Sequence, residues 1–184
     1  MPRNALGYVV VIVVIVVVFV TFKTYFGAAG GPGGAVAGGG PSMLAGAPAA
    51  SYAIKTLDGA SDSLARYRGR VVFVNLWASW CAPCRSETPA LEKLYEENRG
   101  RGLVVLGIDQ GESATAAAAF AKEMNLRYPI LLDEEQQYGR AYAAIGLPTS
   151  LIIDRTGHIL RGIDGELSLA QMRENIAPLF ARPQ

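Results

Sequence analysis

Cys81 and Cys84 are the two cysteines of this chain, separated by Ala82-Pro83 in the stretch WASWCAPCRSETP. Such a pair can hold half a zinc site, close a small structural disulfide, or cycle between dithiol and disulfide. A structural zinc site needs four ligands, usually Cys and His, whereas the chain offers two cysteines and one histidine, His158. A disulfide across so short a loop constrains the unfolded chain little. The third chemistry fits the surroundings better. Cys81 follows an apolar run, VVFVNL at 71–76, and precedes a helical stretch, so its sulfur sits at a helix N-terminus. Unpaired amide N–H groups and the helix dipole there favour thiolate over thiol. Cys81 is then the nucleophile toward a disulfide, and Cys84, one turn on, resolves the mixed disulfide. Pro83 restricts the backbone between them and suits a first helical turn. This chemistry calls for no metal and no cofactor.

The elements that must position the pair follow from the pattern of apolar residues. Residues 53–57 alternate and meet Asp58-Gly59, a turn signal that predicts a short hairpin. Residues 71–76 and 103–108 read as buried strands, with a helix between them over 82–98 that contains Pro89. Ser113 is placed to cap an Ala-rich helix reaching about residue 124. A short strand over 128–132 and a short helix over 134–143 come next. Residues 149–153 and 158–163 then read as a hairpin about Asp154-Arg155-Thr156-Gly157. Ser168 opens a last helix whose apolar stripe is Leu169, Met172, Ile176 and Leu179. Strand–helix alternation followed by a hairpin predicts an α/β domain, a mixed central sheet flanked by helices. About 130 residues can bury a real core, so the cysteines are not needed as a staple.

Ahead of this domain lies a different kind of sequence. Nineteen uncharged residues separate Arg3 from Lys23, with YVVVIVVIVVVFVTF at their centre. As a helix they rise roughly 28 Å, close to a hydrocarbon core of about 30 Å. The expectation is an N-terminal signal-anchor, one transmembrane helix over 1–26 that contacts membrane lipid, with the N-terminus cytoplasmic. Residues 27–50, rich in Gly, Ala and Pro, are expected to form a flexible linker. The remaining domain, 51–184, is expected on the extracytoplasmic, periplasmic side of the cell membrane, a compartment that tolerates disulfides. Lys plus Arg number 17 against 16 for Asp plus Glu, with no basic cluster; phosphate neutralisation needs one, so nucleic acid is not expected as a partner.

The stretch VVFVNLWASWCAPCRSETP resembles the active-site segment of the thioredoxin superfamily, and more narrowly of its membrane-anchored TlpA/ResA/CcmG group of thiol–disulfide oxidoreductases. The likeness extends over about residues 51–180, and Gly146-Leu147-Pro148-Thr149 matches that family's cis-proline loop. The resemblance implies a thioredoxin-like fold with a central βα insertion, here around 128–143. It also implies a cis Leu147–Pro148 bond facing the redox-active disulfide. Asn75 stands where cytoplasmic thioredoxins carry a buried acid, and the TlpA/ResA group often has this asparagine. Glu87 matches a glutamate of the group, which implies that it tunes the thiol pKa values or relays a proton at Cys84; a solvated helix glutamate is the plainer reading. Trp80 is expected to line the site, while Trp77 fits site or core equally. Asp109 could border the crevice or simply sit in a loop, and His158 is expected to face solvent.

The function so implied is reduction of protein disulfides, with apocytochrome c or a copper-assembly protein as substrate and a membrane thiol carrier of the CcdA/DsbD type as electron donor. With Ala82-Pro83 between the cysteines there is no histidine to stabilise the thiolate further, which favours a reductant over an oxidant. Two other classes share the fold. A copper-binding assembly factor of the Sco type would use both thiolates plus His158, although its cysteines are spaced one residue further apart. A peroxidase of the peroxiredoxin kind places its peroxidatic cysteine in a different local motif.

Overall fold

The structure, a computed structural model, describes residues 12–18, 20–21 and 44–181. The chain divides into two compact units, residues 1–37 and 38–184. In the first, residues 12–18 and 20–21 are helical, with exposed side chains. No helix among the described residues is long and apolar enough to cross a membrane. The spanning helix expected over 1–26 is therefore not shown, and much of that segment lies outside the described residues, as does most of the linker.

In the second unit seven strands form one mixed sheet: β1 (Ile54–Thr56), β2 (Ser61–Asp62), β3 (Val71–Trp77), β4 (Leu103–Gln110), β5 (Ile130–Asp133), β6 (Thr149–Ile153) and β7 (Ile159–Asp164). Their spatial order is β2-β1-β5-β4-β3-β6-β7. The three central strands β5, β4 and β3 run parallel, and the flanking pairings are antiparallel. Among the described residues four α-helices accompany them: α1 (Ala82–Asn98), α2 (Ala114–Glu123), α3 (Gln137–Ala141) and α4 (Leu169–Ala181). The expected α/β class and mixed sheet are both present. β5 and α3 occupy residues 130–141, where the resemblance implied an added βα unit.

Strand periodicity sorts the core into two layers. Val71, Phe73 and Trp77 of β3 point to the face covered by α1, α2 and α4, and pack with Leu91, Leu94, Phe120, Met172 and Ile176. Val72, Val74 and Leu76 point to the other face and pack with Leu64, Tyr138 and Tyr142. Every residue of β3 and β4 is buried. These two strands are thus the rigid floor on which the CxxC turn is mounted.

The linker expectation needs a local correction. Residues 44–50 are stitched to the β6–β7 turn: Gly46 donates to the carbonyl of Ile159 at 2.7 Å, Ile159 to Ala47 at 2.9 Å, and Ala49 to Gly157 at 2.9 Å. Pro48 pairs antiparallel with His158. Backbone pairing at a sheet edge needs no large side chains, so a Gly/Ala-rich composition does not forbid it.

Candidate active site

β3 delivers the chain into a tight turn in which the Cys81 amide donates to the carbonyl of Ala78 at 3.1 Å. Cys81 is the N-cap of α1, with extended φ and ψ of −78° and 107°. Its Sγ accepts the Cys84 N–H at 3.2 Å, and Pro83 occupies the first turn, where its missing N–H costs nothing. Cys81 and Cys84 form a disulfide with their Cα atoms 5.2 Å apart. A helix-end N–H held at this sulfur is the arrangement that would stabilise a Cys81 thiolate on reduction. Both cysteines are nearly buried, Cys81 at 4% exposure, whereas the adjacent Trp80 is 71% exposed.

A small cluster of buried polar side chains interrupts the apolar layer that holds the disulfide. Glu87, on the same face of α1 as Cys84, is only 1% exposed, so it is not a solvated helix glutamate. Its Oε1 accepts from Asn75 Nδ2 at 3.5 Å, and Asn75 Nδ2 also reaches Ser150 Oγ at 3.2 Å. Oε2 of Glu87 is buried without a hydrogen-bond partner. Burial pushes the Glu87 carboxyl up to about 8; the Leu167 backbone N–H works against this, and the negative charge of Glu166 adds to it. Glu87 therefore holds a proton at neutral pH and can release it within the working range of a thiol. Asn75 cannot titrate there. It accounts for a buried strand position opposite Ser150 of β6 and gives Glu87 a donor.

The Leu147–Pro148 bond is cis. The sheet register explains where it falls. Thr149, the first residue of β6, pairs with Leu76 near the end of β3, so the loop before β6 emerges at the same sheet end as the CxxC turn. Leu147 packs against the core layer that contains Cys81 and Cys84. It also lines an open groove of about 460 Å³ together with Trp80, Gln110, Arg140, Ile145 and Gly146. Ile145 is 87% exposed on this rim. Trp80, next to Cys81 in the chain, and Ile145, next to the cis-proline loop, are thus exposed apolar groups on the rim of one groove.

The remaining candidates separate cleanly. Trp77 is core: it is buried and stacks on Phe120, ring centroids 4.6 Å apart. Asp109 is neither in a loop nor at a solvent-lined crevice; it is inside β4 and fully buried, in register with Trp77. His158 is exposed, as expected, and its Nδ1 meets Thr156 Oγ1 at 2.7 Å. It lies beyond Ile153, at the sheet end opposite the cysteines. Four residues of strand, about 14 Å, separate Thr149 from Ile153 alone. His158 thus cannot join Cys81 and Cys84 around one copper ion. Sequence reasoning missed Ser150 as a neighbour of Asn75, and missed Glu112, which accepts hydrogen bonds from Ser79 in the active-site turn. The spacing Asp109-x-x-Glu112 directly after the apolar run 103–108 was the available signal.

A thioredoxin-like sheet carrying an N-capping Cys81 disulfide-bonded to Cys84, with a cis-proline loop at the same sheet end, defines a thiol–disulfide oxidoreductase. The AhpC/TSA family pattern matches residues 45–161, and the chain belongs to that thioredoxin-fold family. It is 32% identical over 132 residues to the thiol-disulfide oxidoreductase ResA of Bacillus thuringiensis subsp. konkukian, covering 72% of this chain and 76% of that one. To ResA of Bacillus subtilis it is 28% identical over 140 residues, with 76% and 78% covered. Among solved structures, a putative thiol:disulfide interchange protein DsbE from Chlorobium tepidum superposes with a TM-score of 0.70 at 26% identity, over 74% of this chain and 98% of that one.

Proposed function

We propose that this oxidoreductase is a membrane-anchored, extracytoplasmic reductant of protein disulfides. The observation that carries the exchange chemistry is the pairing of an N-capping Cys81 with a buried Glu87 whose carboxyl, raised to about 8, is partly ionised near neutral pH. The absence of a histidine between the cysteines favours the reducing direction. One sulfur is prepared to attack and the other has a proton acceptor within its own layer. The Cys81 thiolate attacks a client disulfide; a Cys81–client S–S bond forms and the first client sulfur leaves as thiolate, taking up a proton. Cys84, losing its proton to the ionised form of Glu87, then attacks Cys81 Sγ. The second client thiol is released, the Cys81–Cys84 bond re-forms, and two electrons have passed to the client.

The uncharged run between Arg3 and Lys23 supports an anchor, and residues 27–43 with their Gly/Ala/Pro composition support a tether. The relatives named thiol-disulfide oxidoreductase and thiol:disulfide interchange protein support, by analogy, exchange with a disulfide or dithiol client. Apocytochrome c or a copper-assembly protein is the proposed substrate, and a membrane thiol carrier of the CcdA/DsbD type the proposed electron donor. The location is tested by labelling the full chain in intact spheroplasts with a membrane-impermeant maleimide after mild reduction. Labelling of Cys81 without lysis is expected; labelling that requires lysis contradicts the proposal.

A further inference from the structure

A second buried carboxyl lies on the other side of the CxxC turn, and the exchange reaction described above does not use it. Asp109 is 0% exposed within β4. Its Oδ1 accepts the Glu112 amide at 3.1 Å, and its Oδ2 is buried with no hydrogen-bond partner. The Glu112 side chain lies within hydrogen-bonding reach of the Asp109 carboxyl. Two acceptor-only carboxylates cannot bond to each other unless one carries a proton. Glu112 is otherwise engaged with Ser79: it accepts the Ser79 backbone N–H at Oε2 and the Ser79 hydroxyl at Oε1, the latter at 2.6 Å. Ser79 is the second residue of the turn closed by Cys81 N–H to Ala78 O, directly before Trp80 and Cys81.

The electrostatics agree with the geometry. Burial pushes the Asp109 carboxyl up to about 8, the bonding contact and negative charge of Glu112 push the same way, and Asp133 on β5 adds its charge; the Glu112 N–H opposes them. Burial works to raise Glu112 as well, but donation from Ser79 and Asp109 holds its carboxyl below the usual range. On the α1 side the facing charge is Arg85, which reaches Ser79 O at 3.5 Å and is paired with Glu123.

We propose that Asp109 and Glu112 share a single proton and act as a positioning pair for the active-site turn. The protonated Asp109 carboxyl donates to the Glu112 carboxylate, and Glu112 in turn holds Ser79, fixing the turn that presents Trp80 and Cys81. This rests on the thiol-exchange reading for its consequence, but the pair itself does not. When Asp109 ionises, its fully buried negative charge adds to that of the half-buried Glu112. Glu112 is then driven off Ser79, and capture of a client disulfide by Cys81 slows relative to the thiolate available.

The test uses the full chain in detergent micelles. In the oxidised protein, where neither cysteine titrates, the side-chain carboxyl of Asp109 and the backbone amide of Ser79 are followed by NMR from pH 4 to 10. They are expected to move together, with a midpoint well above the ordinary carboxylate range. In the reduced protein, the rate of attack on a model peptide disulfide is normalised to thiolate fraction and compared with Asp109→Asn, whose amide donates to Glu112 at every pH. The wild-type to D109N ratio is expected to fall about threefold between pH 7 and pH 9, the scale of one weakened charged contact. Should D109N fail to fold, E112Q serves instead, since losing the neighbouring charge must lower the Asp109 midpoint. An Asp109 midpoint near the ordinary value of about 4 overturns the proposal. So does a Ser79 amide that does not follow Asp109, a flat rate ratio, or an E112Q midpoint equal to wild type. Failure of the wild type to reduce any disulfide would count against the redox reading alone and would not alter the NMR titration.

Discussion

Glu87 Oε1 stands 3.5 Å from Asn75 Nδ2, on the face of α1 that carries Cys84. Asparagine at that strand position leaves the nearby proton to Glu87, and in the proposed mechanism the ionised carboxyl accepts the Cys84 proton. Glu87→Gln keeps the volume and removes the titration. Its exchange rate with a model disulfide is expected to fall about tenfold near pH 7–8, less than the roughly 100-fold low end for a positioned proton acceptor because only part of Glu87 is ionised there. The pH profile should flatten as well. Stopped-flow kinetics across pH 6–9 checks this, and unchanged cysteine pKa values together with an unchanged rate would remove Glu87 from the mechanism.

The same carboxyl affects stability, and the sign is opposite to that of an ion-paired acid. Its folded value is raised to about 8, against about 4.3 in an unfolded chain. Between those limits the native state binds more protons than the unfolded state, so stability falls as pH rises and levels off above pH 8. Asp109, also raised to about 8, adds to the slope. Oxidised E87Q should therefore gain stability on wild type from pH 5 to pH 8, by about 1–3 kcal/mol. Urea denaturation at the two pH values reads the difference.

Gly107 of β4 leaves no room for a side chain. A Cβ there would meet Trp77 Nε1 at 2.8 Å and the Tyr128 ring at 2.9 Å. Trp77 is itself wedged against Phe120, so it has nowhere to go. Gly107→Ala is expected to cost about 1–3 kcal/mol by overpacking, with a lower urea midpoint at unchanged m-value.

The two sulfurs have unequal roles, which trapping separates. Cys84→Ser should accumulate a mixed disulfide through Cys81 with client proteins in cells, while Cys81→Ser should accumulate none. Non-reducing gels followed by mass spectrometry identify the partners. Equal trapping by both variants would contradict the assignment of Cys81 as nucleophile.

Much of this arrangement was legible before any coordinates. The apolar runs at 71–76 and 103–108, the Cys81 helix start and the hairpin at 154–157 are all local signals, and each element stands where they put it. The cis bond at Leu147–Pro148 came from resemblance, since the residues alone show only that an X-Pro bond can be cis. What stayed hidden depends on long-range pairing. Ser150 meets Asn75 only because β6 runs antiparallel to β3 in one register. Asp109 read as a loop residue because β4 continues two residues past its apolar run, as far as Gln110. The docking of residues 44–50 uses backbone groups, which composition does not reveal.

The central claim is that Cys81 and Cys84 form a cycling, reducing dithiol. It is tested most directly by equilibrating the chain in dithiothreitol redox buffers and measuring the fraction of the 81–84 disulfide that remains. A potential near the thioredoxin value of about −270 mV is the expected result. A potential close to the DsbA value of about −120 mV, or a disulfide that does not open at all, would contradict the account.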